Sequence, residues 1–457
     1  METSLVYVQT IIIFILLIFS WAKFKRDFAS PSVVTLFVFL ISYICYSYNV
    51  DKWTVVFTYK ALFLFTGSFV LMITFESLAR RKKIRLHGNK TSNMNSVRLE
   101  TLPCIRINPK LEKFLLLFYV ASTLFCIGMV LRGGYNLGAS GLSAIGVYKE
   151  TGEQSGVQRL LFNMCRFISY TYMLIFVTNV FYHKEKVRRN LKAIFVIGLM
   201  LLNFFFSGQR SALLGYIFTS FVMVGVIVQD VRRTDRKVNI KKLAKRAVII
   251  GIIGIVFFVL SRNVVKGNTN QEPIIQYITY YFGSPADLMS RIVEQPDLCH
   301  NQFVGYFGEK TFFNFWLDLF SYGIVEKAPA SRRWISMGGI FSSGYAGNEF
   351  SFFCGPYVDF GLIGSFVFFA IEFYVFSYVY YQKIMNAPKT KKRYTTLMVY
   401  TYMFVIFPMS FFQDTISTLI RPILLLYIIF IHLIMSFLVK LDIRKKSTNI
   451  KKENYDQ

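Results

Sequence analysis

The residues best suited to chemistry in this chain are arginines. In the stretch FFFSGQRSALLGYIF, Phe204 to Phe218, Arg210 interrupts a mostly apolar run reaching from Ala193 to about Gln229. A guanidinium is poorly accommodated in hydrocarbon, so a cation in such a place faces water, a partner or a substrate. Arg132, Arg159, Arg262 and Arg421 stand at the ends of other apolar runs, and Arg291, Arg332 and Arg333 lie in the connections between them. The planar arginine fork makes paired bonds to phosphate oxygens and stays charged at any accessible pH. Each arginine taken alone could equally reach lipid headgroups from a helix end. Proton transfer calls for a carboxylate or a histidine. Glu349, Asp359 and His300 are the candidates. Asp359 opens an apolar run and so also suits a helix cap, while a loop histidine is ordinarily just exposed.

The elements that must position these groups are membrane-spanning. The chain has 457 residues, of which 54% are hydrophobic, 18% aromatic and only 17% charged. About eleven apolar runs approach the roughly 20 residues needed to cross a bilayer. They lie near 4–22, 32–49, 56–76, 114–131, 160–182, 193–207, 211–229, 247–261, 357–381, 394–412 and 423–439. In lipid all should be helical, because unpaired backbone finds no water there. An all-α integral membrane protein of a single polytopic domain, 1–457, is expected.

A formal charge of +27 would suit nucleic acid, yet 37 of the 52 lysines and arginines fall in every second connection. That alternation is the positive-inside pattern. It makes the 77–113 loop cytoplasmic, places the N-terminus outside and the C-terminus inside, and argues against a nucleic-acid partner. The largest outer loop, 262–356, lies between the eighth and ninth runs. It contains amphipathic segments at 274–293 and 311–325, suited to the membrane surface or to packing on the bundle. No G-x-x-x-x-G-K-[ST], H-E-x-x-H, C-x-x-C or G-x-S-x-G occurs, so neither a cofactor nor a metal is indicated. Outward arginines running against the charge pattern need a reason. A lipid-linked pyrophosphate held at the outer leaflet supplies one.

The segment SSGYAGNEFSFFCGPYVDFGLIGSFVFFAIEFYVFSYVYY (342–381) resembles the signature of the Wzy family, bacterial polymerases of lipid-linked oligosaccharide repeat units. Its N-x-F element is Asn348-Glu349-Phe350, and its Y-x-D-F-G-x-x-G element runs from Tyr357 to Gly364. FSGQRSALLGYI (206–217) is similar to the family's G-x-R hairpin, GEKTFFNFW (308–316) to its G-x-x-T-F segment, and SGVQRLLFN (155–163) to the end of its preceding outer loop.

The resemblance implies a GT-C-like, metal-independent glycosyltransferase of the bacterial inner membrane. It would move a growing glycan from one undecaprenyl pyrophosphate onto a new lipid-linked unit, making O-antigen or a related surface polysaccharide. Arg210, Arg262, Arg421 and Arg159 would bind pyrophosphate, and Glu349, Asp359 or His300 would act on the acceptor hydroxyl. Arg166, deeper in its run, is expected to pair with Glu372 as a structural ion pair. Tyr280, Tyr281, Tyr306, Phe312 and Trp316 suit either sugar stacking or the membrane interface. Undecaprenyl-pyrophosphate-linked oligosaccharides, membrane lipids, a chain-length regulator and a flippase are the implied partners. O-antigen ligase and lipid-linked oligosaccharide flippase are the rival readings. The ligase shares the donor, while a flippase would call for two similar halves, which this chain lacks.

Overall fold

The computed structural model describes residues 2–81, 103–151, 156–208, 210–232, 273–299, 304–329, 335–338, 345–347, 350–413 and 415–442. Helices dominate: α1 (Glu2–Lys23), α2 (Pro31–Tyr48), α3 (Tyr59–Arg81), α4 (Pro109–Asn136), α5 (Ser143–Thr151), α6 (Gly156–His183) and α7 (Leu191–Phe206). They continue as α8 (Arg210–Arg232), α9 (Ile274–Glu294), α10 (Phe313–Ser321), α11 (Cys354–Tyr378), α12 (Lys391–Met403) and α13 (Ile423–Leu433). Among the described residues, eight helices are long and apolar enough to cross a membrane: α1 to α4, α6 to α8, and α11 with its π-helical extension to Met385. Their outward faces carry large apolar side chains such as Phe114, Leu117 and Ile363, each at least two-thirds exposed. Water would penalise so continuous an apolar surface, whereas lipid does not.

One expected run differs. The 394–412 run is not one helix, because α12 stops at Met403 and gives way to a 3-10 turn, Phe404–Ile406, and further turns. Pro408 explains this: it has no N–H to donate, and its ring would collide with the Phe404 carbonyl of a continuing helix. The 423–439 run is helical over Ile423–Leu438, and its last residues are π-helical. Four short strands accompany the helices among the described residues. Strands β1 (Cys104–Ile107) and β4 (Val439–Asp442) pair antiparallel, as do β2 (Ile335–Gly338) and β3 (Tyr345–Gly347). The expected 247–261 helix and most of the 77–113 loop lie outside the described residues.

Buried carboxylates fasten one end of the bundle, where the described basic connections gather. Glu76 of α3 accepts from Ser30 Oγ (2.5 Å), Ser32 N (2.8 Å) and Tyr381 Oη (2.8 Å), tying the starts of α2 and the end of α11 to α3. Asp230 of α8 accepts from Tyr182 of α6 (2.6 Å) and from Arg393 of α12 (2.7 Å), with Lys389 at 3.0 Å. Hydrogen bonds to a charged group contribute about 1.5–3 kcal/mol each, so these clusters fix which helix ends meet.

At the opposite end α9 does not float free. It lies across α2, with Tyr46 Oη donating to Asp287 at 2.8 Å and Arg291 pairing with the same carboxylate at 2.8 Å. Tyr281 stacks on Phe412 with ring centres 4.5 Å apart, and Phe282 on Phe411 at 5.1 Å. Its apolar face therefore packs on the bundle. Also at this end, α5 folds back on α4. A Cβ at Gly134 would fall 2.2 Å from the Ala144 carbonyl oxygen, so only glycine allows the approach.

Candidate functional site

At the end of the bundle where α9 lies, two motif segments interlock. Gly361 has φ 67° and ψ −168°, a backbone conformation essentially reserved for glycine. It breaks α11 into Cys354–Phe360 and a long segment from Leu362, and so sets the direction in which Asp359 leaves the helix. The Asp359 carboxylate accepts from the Lys310 backbone N–H (3.0 and 3.1 Å), from the Thr311 N–H (2.7 Å) and from Thr311 Oγ1 (2.7 Å). Phe360 folds over Gly364, where a Cβ would stand 2.4 Å from its own Cβ, and its ring packs 5.5 Å from that of Phe307. Within the turn, Glu309 accepts from the N–H groups of Val304 (2.9 Å) and Gly305 (3.1 Å) and pairs with buried Lys310 at 3.2 Å. Trp316 stacks on Tyr306 at 4.7 Å and donates Nε1–H to the Phe307 carbonyl at 3.1 Å. Asp359 thus clamps the 308–312 turn by its backbone.

That turn launches α10, and α10 holds an arginine. Asn314 Nδ2 donates to Ser417 Oγ at 2.9 Å, seating α10 on the short helical turn Ile416–Leu419. One turn of helix later, Asp318 receives Arg421 in a two-pronged ion pair, through Nε at 2.7 Å and through a terminal nitrogen. Arg421 immediately precedes Pro422 and α13, whose Tyr427 hydroxyl accepts from Asn163 Nδ2 of α6 at 2.8 Å.

Asn163 belongs to a polar stripe. Arg159, Asn163, Arg166 and Tyr170 follow at spacings of four, three and four residues, which places them on one face of α6. Their exposure falls along the helix from exposed Arg159 through half-buried Asn163 and Arg166 to buried Tyr170. The Arg166 guanidinium lies over three rings: Tyr402 of α12 at 5.1 Å, Tyr170 at 5.8 Å and Phe204 of α7 at 6.0 Å. Its Nε is buried without a hydrogen-bond partner. The expected pair with Glu372 is not formed, because the aromatic rings of α6, α7 and α12 occupy the space around the guanidinium. Aromatic faces offset part of the cost of burying the cation, by about 0.5–2 kcal/mol each. The Tyr170 hydroxyl also accepts a hydrogen bond from the guanidinium, which still leaves Nε without an acceptor. Among the described residues neither Arg159 nor Arg166 has a carboxylate partner.

The described residues therefore bring Arg159, Arg166 and Arg421 around Tyr427 at one end of the bundle. Arg210 is the first residue of α8, following the turn that closes α7 near α5, and its side chain lies outside the described residues. Arg262, His300 and Glu349, with Arg332 and Arg333, also lie outside the described residues. Arg132 is exposed at the last turns of α4. The α6 stripe could have been found from the spacing of RLLFNMCR (159–166). Asp318, which neutralises Arg421, could not, since the two are 103 positions apart. Among the described residues no group of three His, Cys, Asp or Glu side chains could hold a metal ion. What the arrangement can do is receive an anion with several oxygens: two guanidinium groups lack a carboxylate, and a third is held in a fixed orientation. No family model, curated protein or solved structure matches the chain.

Proposed function

We propose that this protein is a polymerase of undecaprenyl-pyrophosphate-linked oligosaccharide repeat units, of GT-C-like build with about eleven crossings of a bacterial inner membrane. The observation that supports this most is the interlock, through Asp359, of the 308–316 and 357–364 segments, two of the stretches that resemble the Wzy family. That interlock carries, through α10 and Asp318, an arginine to the end of the bundle where Arg159 also stands.

In the reaction the acceptor hydroxyl of a new unit attacks the anomeric carbon of the growing glycan. A carbon–oxygen bond forms there as the bond to the departing pyrophosphate breaks, and the hydroxyl proton passes to a base. Fixed cations stabilise the charge that develops on pyrophosphate, and holding both lipid carriers supplies the rest of the rate. Arg421 and Arg159, with Arg210 and Arg262, take the first role. Three donors, two backbone N–H groups and one hydroxyl, already occupy Asp359, which suits it to positioning, and leaves Glu349 and His300 as candidates for the base.

The chain should be expressed in a strain that lacks its surface-glycan polymerase, and the glycan separated by size. A ladder of lengths is the expected result. Capped single units would instead indicate ligation, and absence of repeat units from the outer face would indicate a flippase.

A further inference from the structure

We infer that the α6 stripe is a phosphate-binding subsite in its own right, in which Arg166, Asn163 and Arg159, closed over by Tyr427, take the phosphate of a lipid carrier below the mouth of the bundle. The inference rests on the polymerase reading for the identity of the carrier, but its geometry stands independently. The rings and the Tyr170 hydroxyl satisfy only part of the Arg166 guanidinium: its Nε is buried and unpartnered and no described carboxylate stands beside it, a cost that an arriving anion would offset. Asp318, the carboxylate that shares the surroundings of Tyr427, is taken by Arg421 through two nitrogens. Arg159 at the exposed end of the stripe and Arg166 about two helical turns further in define an entry and an end point. Between them Asn163 supplies a neutral donor, already directed at the Tyr427 hydroxyl 2.8 Å away. The hydroxyl proton of Tyr427 is free to turn toward a phosphate oxygen. The packed rings of Tyr402, Tyr170 and Phe204 close the inner end and set how deep a phosphate can reach.

The test uses the full purified chain in detergent and two probes, geranylgeranyl pyrophosphate and inorganic pyrophosphate, each titrated calorimetrically. Arg166→Lys keeps the charge but loses the fork, and is expected to weaken binding of the lipid probe at least about tenfold. Tyr427→Phe removes one hydroxyl with no change in packing volume and is expected to weaken it by a smaller factor. Helical circular dichroism and gel-filtration profile establish that each variant is folded. If both probes lose affinity in parallel, the subsite reads the phosphate alone; if only the lipid probe does, it reads the headgroup together with its chain. Unchanged affinity for both probes in folded Arg166→Lys and Tyr427→Phe overturns the subsite. Loss of binding without a glycan ladder in the complemented strain would remove the polymerase reading and leave the subsite standing, and the converse pairing would do the opposite.

Discussion

Asp359→Asn is expected to abolish the glycan ladder while the protein still accumulates in the membrane. The carboxylate accepts four hydrogen bonds from two residues of the 308–312 turn, and Oδ2 alone receives three of them. An amide retains one acceptor oxygen and points an NH2 group at donors. With its oxygen in the Oδ2 position the amide keeps the three donors but loses the charge assistance of each bond, about 1 kcal/mol apiece, which should lower the population of the seated turn about a hundredfold. The turn launches α10, so Asp318 and with it Arg421 lose their register. Hydrogen exchange across 304–316 should accelerate in the variant. A normal ladder together with unchanged exchange would show that Asp359 holds nothing the activity needs.

The Asp318–Arg421 pair should give the next largest effect. Arg421→Lys is expected to cost about tenfold to a hundredfold in polymer yield, because a lysine cannot bond both Asp318 oxygens and still present a flat donor edge. Asp318→Ala should produce a similar loss by a different route: it leaves a charged arginine without the partner that orients it, a change of about 1–3 kcal/mol. If Asp318 acts only through Arg421, the double variant Asp318→Ala with Arg421→Ala should be no worse than Arg421→Ala alone. The chain-length distribution of each strain measures this. Additive losses would mean that the two residues serve separate purposes.

The membrane-spanning class was legible in the sequence because hydropathy over about 20 residues reports a local property that lipid enforces. The amphipathic character of 274–293 likewise foretold α9, although not that it would lie across α2, since that depends on Tyr46 and Asp287 meeting from 241 positions apart. The break at Met403 was readable in principle from Pro408. Strands β1 and β4 were not, because each is four residues long and gains its pairing from a partner more than 300 residues away. At the candidate site the arginines stood out by residue type, but their partners did not. Arg166, deep in the fifth run, suggests a pair with Glu372, the acid inside the ninth. Packing instead surrounded it with rings, a choice made by the relative rotation of α6, α7 and α12 that no local pattern encodes. Asp359 was recognised through its motif, and its work on the backbone of Lys310 and Thr311 became visible only when the two motifs met.

The central claim is that guanidinium groups at one end of this bundle hold polyprenyl pyrophosphate while the attached glycan is transferred. Its most direct measurement reconstitutes the purified chain in nanodiscs with lipid-linked repeat units extracted from the strain that makes them. Glycans of two, three and more units should appear, with one polyprenyl pyrophosphate released for each new bond. Units that stay single while the carrier still binds would contradict it.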